Sequence, residues 1–399
     1  MWKPILPGDP AIDNRIHLIA DALKERWPDE KRAGLLTGLA GIAIFFGMYD
    51  KYTGKKDHTE LIEKLLASAF ETAQTVWHPN TFCSGVPGML WAADYLNGTG
   101  SIELEPDTAD TDGFLLEQMF ESAEENDFDF LHGATGILNY FISRSEGIDG
   151  DQTARFLSIL RKHAVVEADG SLSWESIVDR ANPRVVKNLS LSHGMSSIIT
   201  VLSIIYKKDP QPLTAELLRG AVKFVQSKGN KPGQAISLFP GFVEKVQPDA
   251  VNSRLGWCYG DLGIALALRA AGQALNDPAL TAHAYDILRH SAARRDIAAN
   301  SIFDAGLCHG SAGIAHIFNT VFQETNEPVF REAALYWLKH ALDTVSENAA
   351  APAGYQAFFG ESGWKNELPV LEGIAGIGLA YISAASDIQP AWDRCLLIS

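Results

Sequence analysis

A recurring glycine motif constrains the fold of this chain more than any other feature of its sequence. The motif occurs seven times. The fourth copy along the chain begins at Gly194 and is degenerate, with Ser197 in place of the second glycine. Successive copies begin 47 to 66 residues apart, a period typical of repeat architectures. The chain is therefore predicted to be built from repeated units along its whole length. Each complete copy has two glycines three residues apart, followed by an apolar run. The six complete copies begin at Gly38, Gly85, Gly133, Gly260, Gly310 and Gly373.

The segments around the glycine motifs predict two kinds of helix. The run after each motif is apolar on nearly every face, as in 264–268, which indicates a short helix buried on all sides. The intervening segments are amphipathic instead, with apolar residues at helical spacing in 61–70. Further amphipathic segments lie at 11–24, 151–166, 213–227, 279–294 and 328–345.

These two kinds of segment predict an all-α fold in which seven inner helices alternate with seven outer helices. The helix in 11–24 can neighbour the last inner helix, in 373–385, so that the layers close into a ring. An open stack of repeats would need polar end caps, and the sequence has none. We therefore predict an α/α toroid, a double-layered barrel formed by residues 1–399 as a single domain, with very little sheet.

Composition excludes several classes of function. Hydrophobic residues make up 46% of the 399 residues, enough for a large core. The formal net charge of −16 repels phosphate backbones, so nucleic-acid binding is not expected. The first residues lack the apolar core of a signal peptide, and the apolar stretches are too short to span a bilayer. A cytoplasmic location is therefore expected.

The cysteines predict a metal site. Four cysteines in a chain of this size do not suggest a disulfide framework. Cys258 lies just before one glycine motif, and Cys308-His309 lie just before the next. In a ring these positions are neighbours, and a Cys₂His set is a catalytic zinc pattern with its fourth position open. Cys258 alone could instead be a small buried apolar residue. Cys83 and Cys395 have no such partners and are predicted not to bind metal.

Other polar residues near the motif starts are candidates for acid–base chemistry. His193 directly precedes its motif glycine, and Asp129 and His132 precede the glycine of the third motif. An imidazole titrates near neutral pH, which suits His193 to proton transfer. His132 could equally be structural. Arg254, with Tyr259 nearby, could orient Asp129 or bind a substrate carbonyl.

Three motifs carry a resemblance to a known family: Trp-Cys-Tyr-Gly at 257–260, Cys-His-Gly at 308–310 and Leu-Glu-Gly-Ile-Ala-Gly at 371–376. Through these motifs the chain resembles the lanthionine synthetase C-like family, the lantibiotic cyclases and their relatives. The resemblance covers nearly the full length. It implies an α/α toroid with one zinc ion per chain. The implied zinc ligands are Cys258, Cys308 and His309, and the implied acid–base and support residues are Asp129, His193, Arg254 and Tyr259.

The resemblance also implies an activity. Such enzymes add peptide cysteine thiols to dehydroalanine or dehydrobutyrine, which forms lanthionine or methyllanthionine thioether rings. The implied substrate is a dehydrated precursor peptide. The implied partners are a dehydratase and an exporter, through which the protein would lie peripherally at a membrane.

Three other readings stay open at the level of sequence. Relatives on the same scaffold add glutathione to dehydrated residues of damaged proteins. A non-enzymatic toroid could instead use zinc for stability and bind a ligand in its cavity. A toroidal glycosidase would need two carboxylates, for which Asp129 and Asp261 could be proposed, although Cys₂His zinc has no place in that chemistry.

Overall fold

The computed structural model describes residues 2–75, 80–104, 108–144, 147–178, 183–244 and 251–399. These residues are mostly helical, as predicted, and their α-helices alternate in kind along the chain. In chain order the helices are α1 (Pro10–Arg26), α2 (Leu39–Thr53), α3 (Thr59–Thr75), α4 (Val86–Gly98), α5 (Ala109–Glu124), α6 (Ala134–Ile142), α7 (Gly150–His163), α8 (Met195–Lys208), α9 (Pro212–Gln226), α10 (Asp261–Ala274), α11 (Pro278–Ala292), α12 (Ser311–Thr325), α13 (Pro328–Asp343) and α14 (Ile374–Ala385).

Every even-numbered helix begins directly after the first glycine of a motif; we call these seven the motif helices. They are predominantly apolar, and α6 is buried along its entire length. The odd-numbered, intervening helices bury one face only, as α9 does through Leu217, Leu218 and Ala221. Both patterns follow from the sequence, because burial on all sides requires an apolar surface on all sides.

Strands are short and antiparallel. The hairpins are β1 (Val165–Val166) with β2 (Leu172–Ser173), and β6 (Ala357–Phe358) with β7 (Trp364–Lys365). A three-stranded sheet has the order β3 (Ser176–Val178), β4 (Arg184–Asn188), β5 (Phe242–Val243). Short 3₁₀ helices occupy Trp27–Asp29, Pro352–Gly354, Gly360–Ser362 and Ala391–Leu396.

Glycine is required at the motif starts because the backbone folds back onto itself there. A Cβ atom at Gly194 would lie 2.1 Å from the carbonyl oxygen of Asn188. Gly260 also has φ +99°, a left-handed conformation that side chains disfavour. The degenerate fourth motif keeps the same start: Ser197 is fully buried, and its hydroxyl donates to the carbonyl of Gly194 at 2.8 Å. The serine is therefore accommodated without displacing the helix start beside His193.

The chain divides into two compact units. Unit 1 comprises Met1–Asp107 and Ile302–Ser399, and unit 2 comprises Thr108–Ser301. Within unit 1 the motif helices pack in the order α12, α14, α2, α4, and α1 packs against α14, which is the contact predicted between 11–24 and 373–385. Within unit 2 the order is α6, α8, α10. In the described part of the chain, every helix is too short or too polar to traverse a bilayer.

Candidate functional site

An alternation of burial precedes every motif helix. The residue two positions before the motif glycine is buried, whereas the residue immediately before the glycine is at least partly exposed. Each motif therefore offers one side chain that is at least partly exposed at the start of its helix. The buried residues are Leu36, Cys83, Leu131, Ser192, Cys258, Cys308 and Leu371. The residues before the glycine are Thr37, Ser84, His132, His193, Tyr259, His309 and Glu372, of which His132 is exposed and the others are half-buried.

In unit 2 this position brings His193 onto Asp129. The Nδ1–H of His193 donates to Oδ2 of Asp129 at 2.7 Å. Oδ1 of Asp129 accepts the backbone N–H groups of Leu131 and His132 at 2.8 and 2.9 Å. The backbone N–H of His193 in turn donates to the hydroxyl of Ser190 at 3.0 Å. Both members of the pair are therefore held from the backbone as well as by each other.

The electrostatics of this pair favour a charged histidine. Burial opposes charge on both groups, but hydrogen bonds from His132 and His193 lower the pKa of Asp129 well below its usual value. Burial likewise acts to lower the pKa of His193, yet the hydrogen bond and charge of Asp129 raise it above the ordinary value of 6.5. The carboxylate thus favours the protonated form of His193.

Two aromatic side chains flank the His193 ring. The rings of His132 and His193 stack with centroids 5.5 Å apart and planes within 6°. The Tyr259 ring lies 6.0 Å from that of His193, and Asn188 Nδ2 donates to the Tyr259 hydroxyl oxygen at 3.3 Å. Burial raises the pKa of Tyr259, so its hydroxyl keeps its proton at neutral pH. The structure thus places His132 in this cluster. From the sequence alone, a purely structural role for His132 was equally open.

Cys258 and Arg254 occupy the loop before α10. The Cys258 side chain is buried, and its carbonyl accepts from the Ser192 hydroxyl at 3.2 Å and the Leu191 N–H at 3.2 Å. These bonds fix the thiol's backbone next to the His193 loop. Arg254 is half-buried, and within the described residues no ion pair joins it to Asp129. Its other predicted role, binding a substrate carbonyl, stays a prediction.

Asp261, proposed above for a glycosidase, serves the interior of unit 2. Its side chain is fully buried and pairs with Arg294 Nη1 at 2.9 Å. It also accepts the N–H groups of Leu238 and Phe239, each at 2.9 Å. A carboxylate with all these partners fixes the loop before β5 and is not placed to attack or protonate a substrate, which removes the structural basis of the glycosidase reading.

In unit 1, Cys308 and His309 precede α12. The N–H groups of Leu307 and Cys308 both donate to the carbonyl of Leu371 at 3.0 Å, which anchors this loop to the start of α14. Cys308 is buried, and the His309 side chain is 18% exposed. Nδ1 of His309 lies 3.7 Å from Oε1 of Glu372.

The carboxylates around His309 were not predicted from the sequence. One ligand atom each from Asp304, His309 and Glu372 lies within 4.8 Å of the others. Asp304 is buried, and its Oδ1 accepts the Gly306 N–H at 3.0 Å. Glu372 lies within the Leu-Glu-Gly motif, at the partly exposed position before the glycine. That position, common to His132, His193 and His309, is the signal that could have found it.

The donor chemistry suits zinc. Groups of His, Cys and carboxylate side chains that could hold a metal ion are present among the described residues. Cys258 in unit 2 and Cys308 in unit 1 each offer a buried cysteine sulfur, and the His309 ring, also in unit 1, offers a nitrogen. Thiolate sulfur and imidazole nitrogen are the ligands that zinc prefers.

Both the helical fold and the sequence of this chain match those of a known class of protein. The fold is similar to that of nisin cyclase, with a TM-score of 0.74 over 97% of each chain and 20% sequence identity. No curated protein matches the sequence. Residues 29–397 match the family described as lanthionine synthetase C-like protein. The chain belongs to the lanthionine synthetase C-like family.

Proposed function

We propose that the protein is a zinc-dependent lanthipeptide cyclase that adds peptide cysteine thiols to dehydroalanine or dehydrobutyrine. The observation that carries the proposal is the short hydrogen bond from His193 Nδ1 to Asp129 Oδ2, at 2.7 Å. It occurs in a member of this family whose next motif, just before α10, supplies a buried cysteine, Cys258. Thioether formation needs both an activated thiol and a proton donor to carbon.

Cys258, Cys308 and His309 are proposed to hold one zinc ion per chain. Each stands directly before a motif helix, and the two cysteines occupy equivalent positions in consecutive motifs. A zinc ion with an open fourth position supplies deprotonation of a bound thiol at neutral pH. The family's architecture further supports the predicted toroid of seven inner and seven outer helices as the scaffold that unites these ligands.

The protein's own residues account for the proton. When the substrate thiolate forms its bond to the β-carbon, the electron pair of the C=C bond moves to the α-carbon and its carbonyl. His193 donates its proton to that α-carbon and is reprotonated from solvent. Asp129 keeps the imidazole charged and fixes its ring, while Tyr259 packs beside it. Arg254 is proposed to bind the substrate carbonyl.

The substrate chemistry also implies partners. Dehydroalanine and dehydrobutyrine arise by loss of water from serine and threonine, so a dehydratase must act first. We propose a dehydrated precursor peptide as substrate, with the dehydratase and an exporter as partners of a cytoplasmic protein that is peripheral to the membrane.

A direct assay tests this function. Purified protein is incubated with a peptide that contains one dehydroalanine and one cysteine, and free thiols are counted by alkylation and mass spectrometry. We expect thiol loss without a change in mass, abolished by a chelator and restored by zinc. A parallel reaction with glutathione and a cysteine-free dehydroalanine peptide identifies the glutathione-adding alternative. No thioether in either reaction would rule out the proposed chemistry.

A further inference from the structure

A cluster of exposed aromatic side chains lies in unit 1. The ring centroids of Phe303 and Phe358 are 4.8 Å apart, and those of Phe358 and Trp364 are 5.2 Å apart. Phe303 is 47% exposed and Trp364 53%. Contiguous exposed apolar side chains of this kind mark binding surfaces on proteins. We call Phe303, Phe358 and Trp364 the aromatic patch.

The aromatic patch is joined to the proposed metal-ligand loop by one buried carboxylate. Oδ2 of Asp304 accepts the backbone N–H of Phe358 at 2.8 Å. Asp304 is the chain neighbour of Phe303 and also belongs to the carboxylate group around His309. Asp304 therefore links the patch to the loop that carries Cys308 and His309.

The aromatic patch is preformed. Phe358 and Trp364 face each other as a cross-strand pair of the β6–β7 hairpin. The Phe359 N–H donates to the Gly363 carbonyl at 2.9 Å, which closes the turn of this hairpin. Because these rings are already ordered, binding an apolar group would cost little further conformational entropy.

We propose that the aromatic patch is a substrate subsite that binds an apolar side chain close in sequence to the reacting cysteine of the peptide. The inference rests on the proposed function. A peptide whose thiol reaches Cys308 and His309 lays its flanking residues next to that loop, and the patch is an exposed apolar surface linked to the loop through Asp304. Aromatic side chains of this size dominate binding energy at interfaces.

The experiment uses the zinc-loaded full chain and two dehydroalanine peptides that differ only in the residue beside cysteine, leucine or serine. Trp364→Ser and Phe303→Ser are compared with wild type by alkylation and mass spectrometry. We expect KM for the leucine peptide to rise about tenfold in both variants with kcat unchanged, because an apolar contact is lost. The serine peptide should give the same KM and kcat with all proteins. Trp364→Phe should keep the preference for the leucine peptide that Trp364→Ser loses.

The controls separate this subsite from the function itself. Phe114, 51% exposed on α5, is the matched control: Phe114→Ser should leave the preference intact. An equal loss of preference in Phe114→Ser, or an unchanged preference in Trp364→Ser, would overturn the subsite. N-acetyldehydroalanine methyl ester with N-acetylcysteine has no apolar flank; if wild type joins neither this pair nor the peptides, the proposed function has failed rather than the subsite.

Discussion

Two histidines of this protein occupy the same position in different units and differ in the carboxylate beside them. His193 in unit 2 and His309 in unit 1 each stand immediately before a motif glycine. Nδ1 of His193 lies 2.7 Å from Asp129, whereas Nδ1 of His309 lies 3.7 Å from Glu372. A short charge-assisted hydrogen bond favours imidazolium, while a metal ligand must be neutral. The proposed function therefore assigns two roles to one backbone position, an acid at His193 and a zinc ligand at His309.

The largest expected effect concerns the proposed zinc ligands that accompany His309. The double variant Cys258→Ala, Cys308→Ala should lose stoichiometric zinc and all ring closure, because two of the three proposed protein ligands are gone. Elemental analysis and the alkylation assay measure both. Cys83→Ala is the matched control, since Cys83 occupies the equivalent motif position without a predicted metal role. One zinc per chain surviving in the double variant would remove these cysteines from the site.

The next effect concerns the acid. His193→Asn should slow ring closure by about 10²–10⁴-fold while zinc content and circular dichroism stay unchanged, because proton delivery by a positioned group contributes about that much. His132→Asn provides the control: its Nδ1 lies 3.5 Å from Asp129, so it should lose less activity. A wild-type rate in His193→Asn would exclude it as the acid, and His132 would be tested next.

A smaller effect is expected at Glu372. Groups that orient a ligand histidine typically change metal affinity by about 10–100-fold, and the 3.7 Å separation places Glu372→Gln near tenfold weaker zinc binding. Competition with a chromogenic chelator measures this. Glu367→Gln is the control, because Glu367 pairs with Arg32 instead. Unchanged affinity would show that Glu372 does not support His309.

The smallest effect is a shift in pH dependence. Since Asp129 raises the pKa of His193 above 6.5, the acid form persists up to that raised pKa and is lost as pH rises through it. In Asp129→Asn the pKa of His193 should fall, so the decline in rate should begin at lower pH. Rates of ring closure across pH for both proteins provide the test. An identical descending limb would mean that Asp129 does not set the protonation of His193.

Much of this arrangement could be predicted from the sequence because it repeats. Glycine spacing and apolar runs predicted all seven motif helices, since each start needs a residue without a side chain. The outer helix Ala109–Glu124 was not among the amphipathic segments predicted from the sequence. Its acidic residues obscure the helical spacing of Leu115, Met119 and Ala123, which form its buried face.

The tertiary partners of the site were less predictable. Asp129 and His193 were both proposed from their motif positions, but their hydrogen bond depends on the packing of α6 against α8. Asp304 and Glu372 lie 68 residues apart, and no local pattern joins them. They meet because the Leu307 and Cys308 N–H groups bond to the Leu371 carbonyl, a contact that depends on the packed structure.

The division of roles between the two histidines is tested most directly by measuring zinc content in His193→Asn and His309→Asn side by side. Both substitutions remove an imidazole from the same motif position, so a general effect of the position would appear in both. We expect one zinc per chain in His193→Asn and a large loss of zinc in His309→Asn. Equal zinc content in the two variants, or loss of zinc in His193→Asn alone, would contradict it.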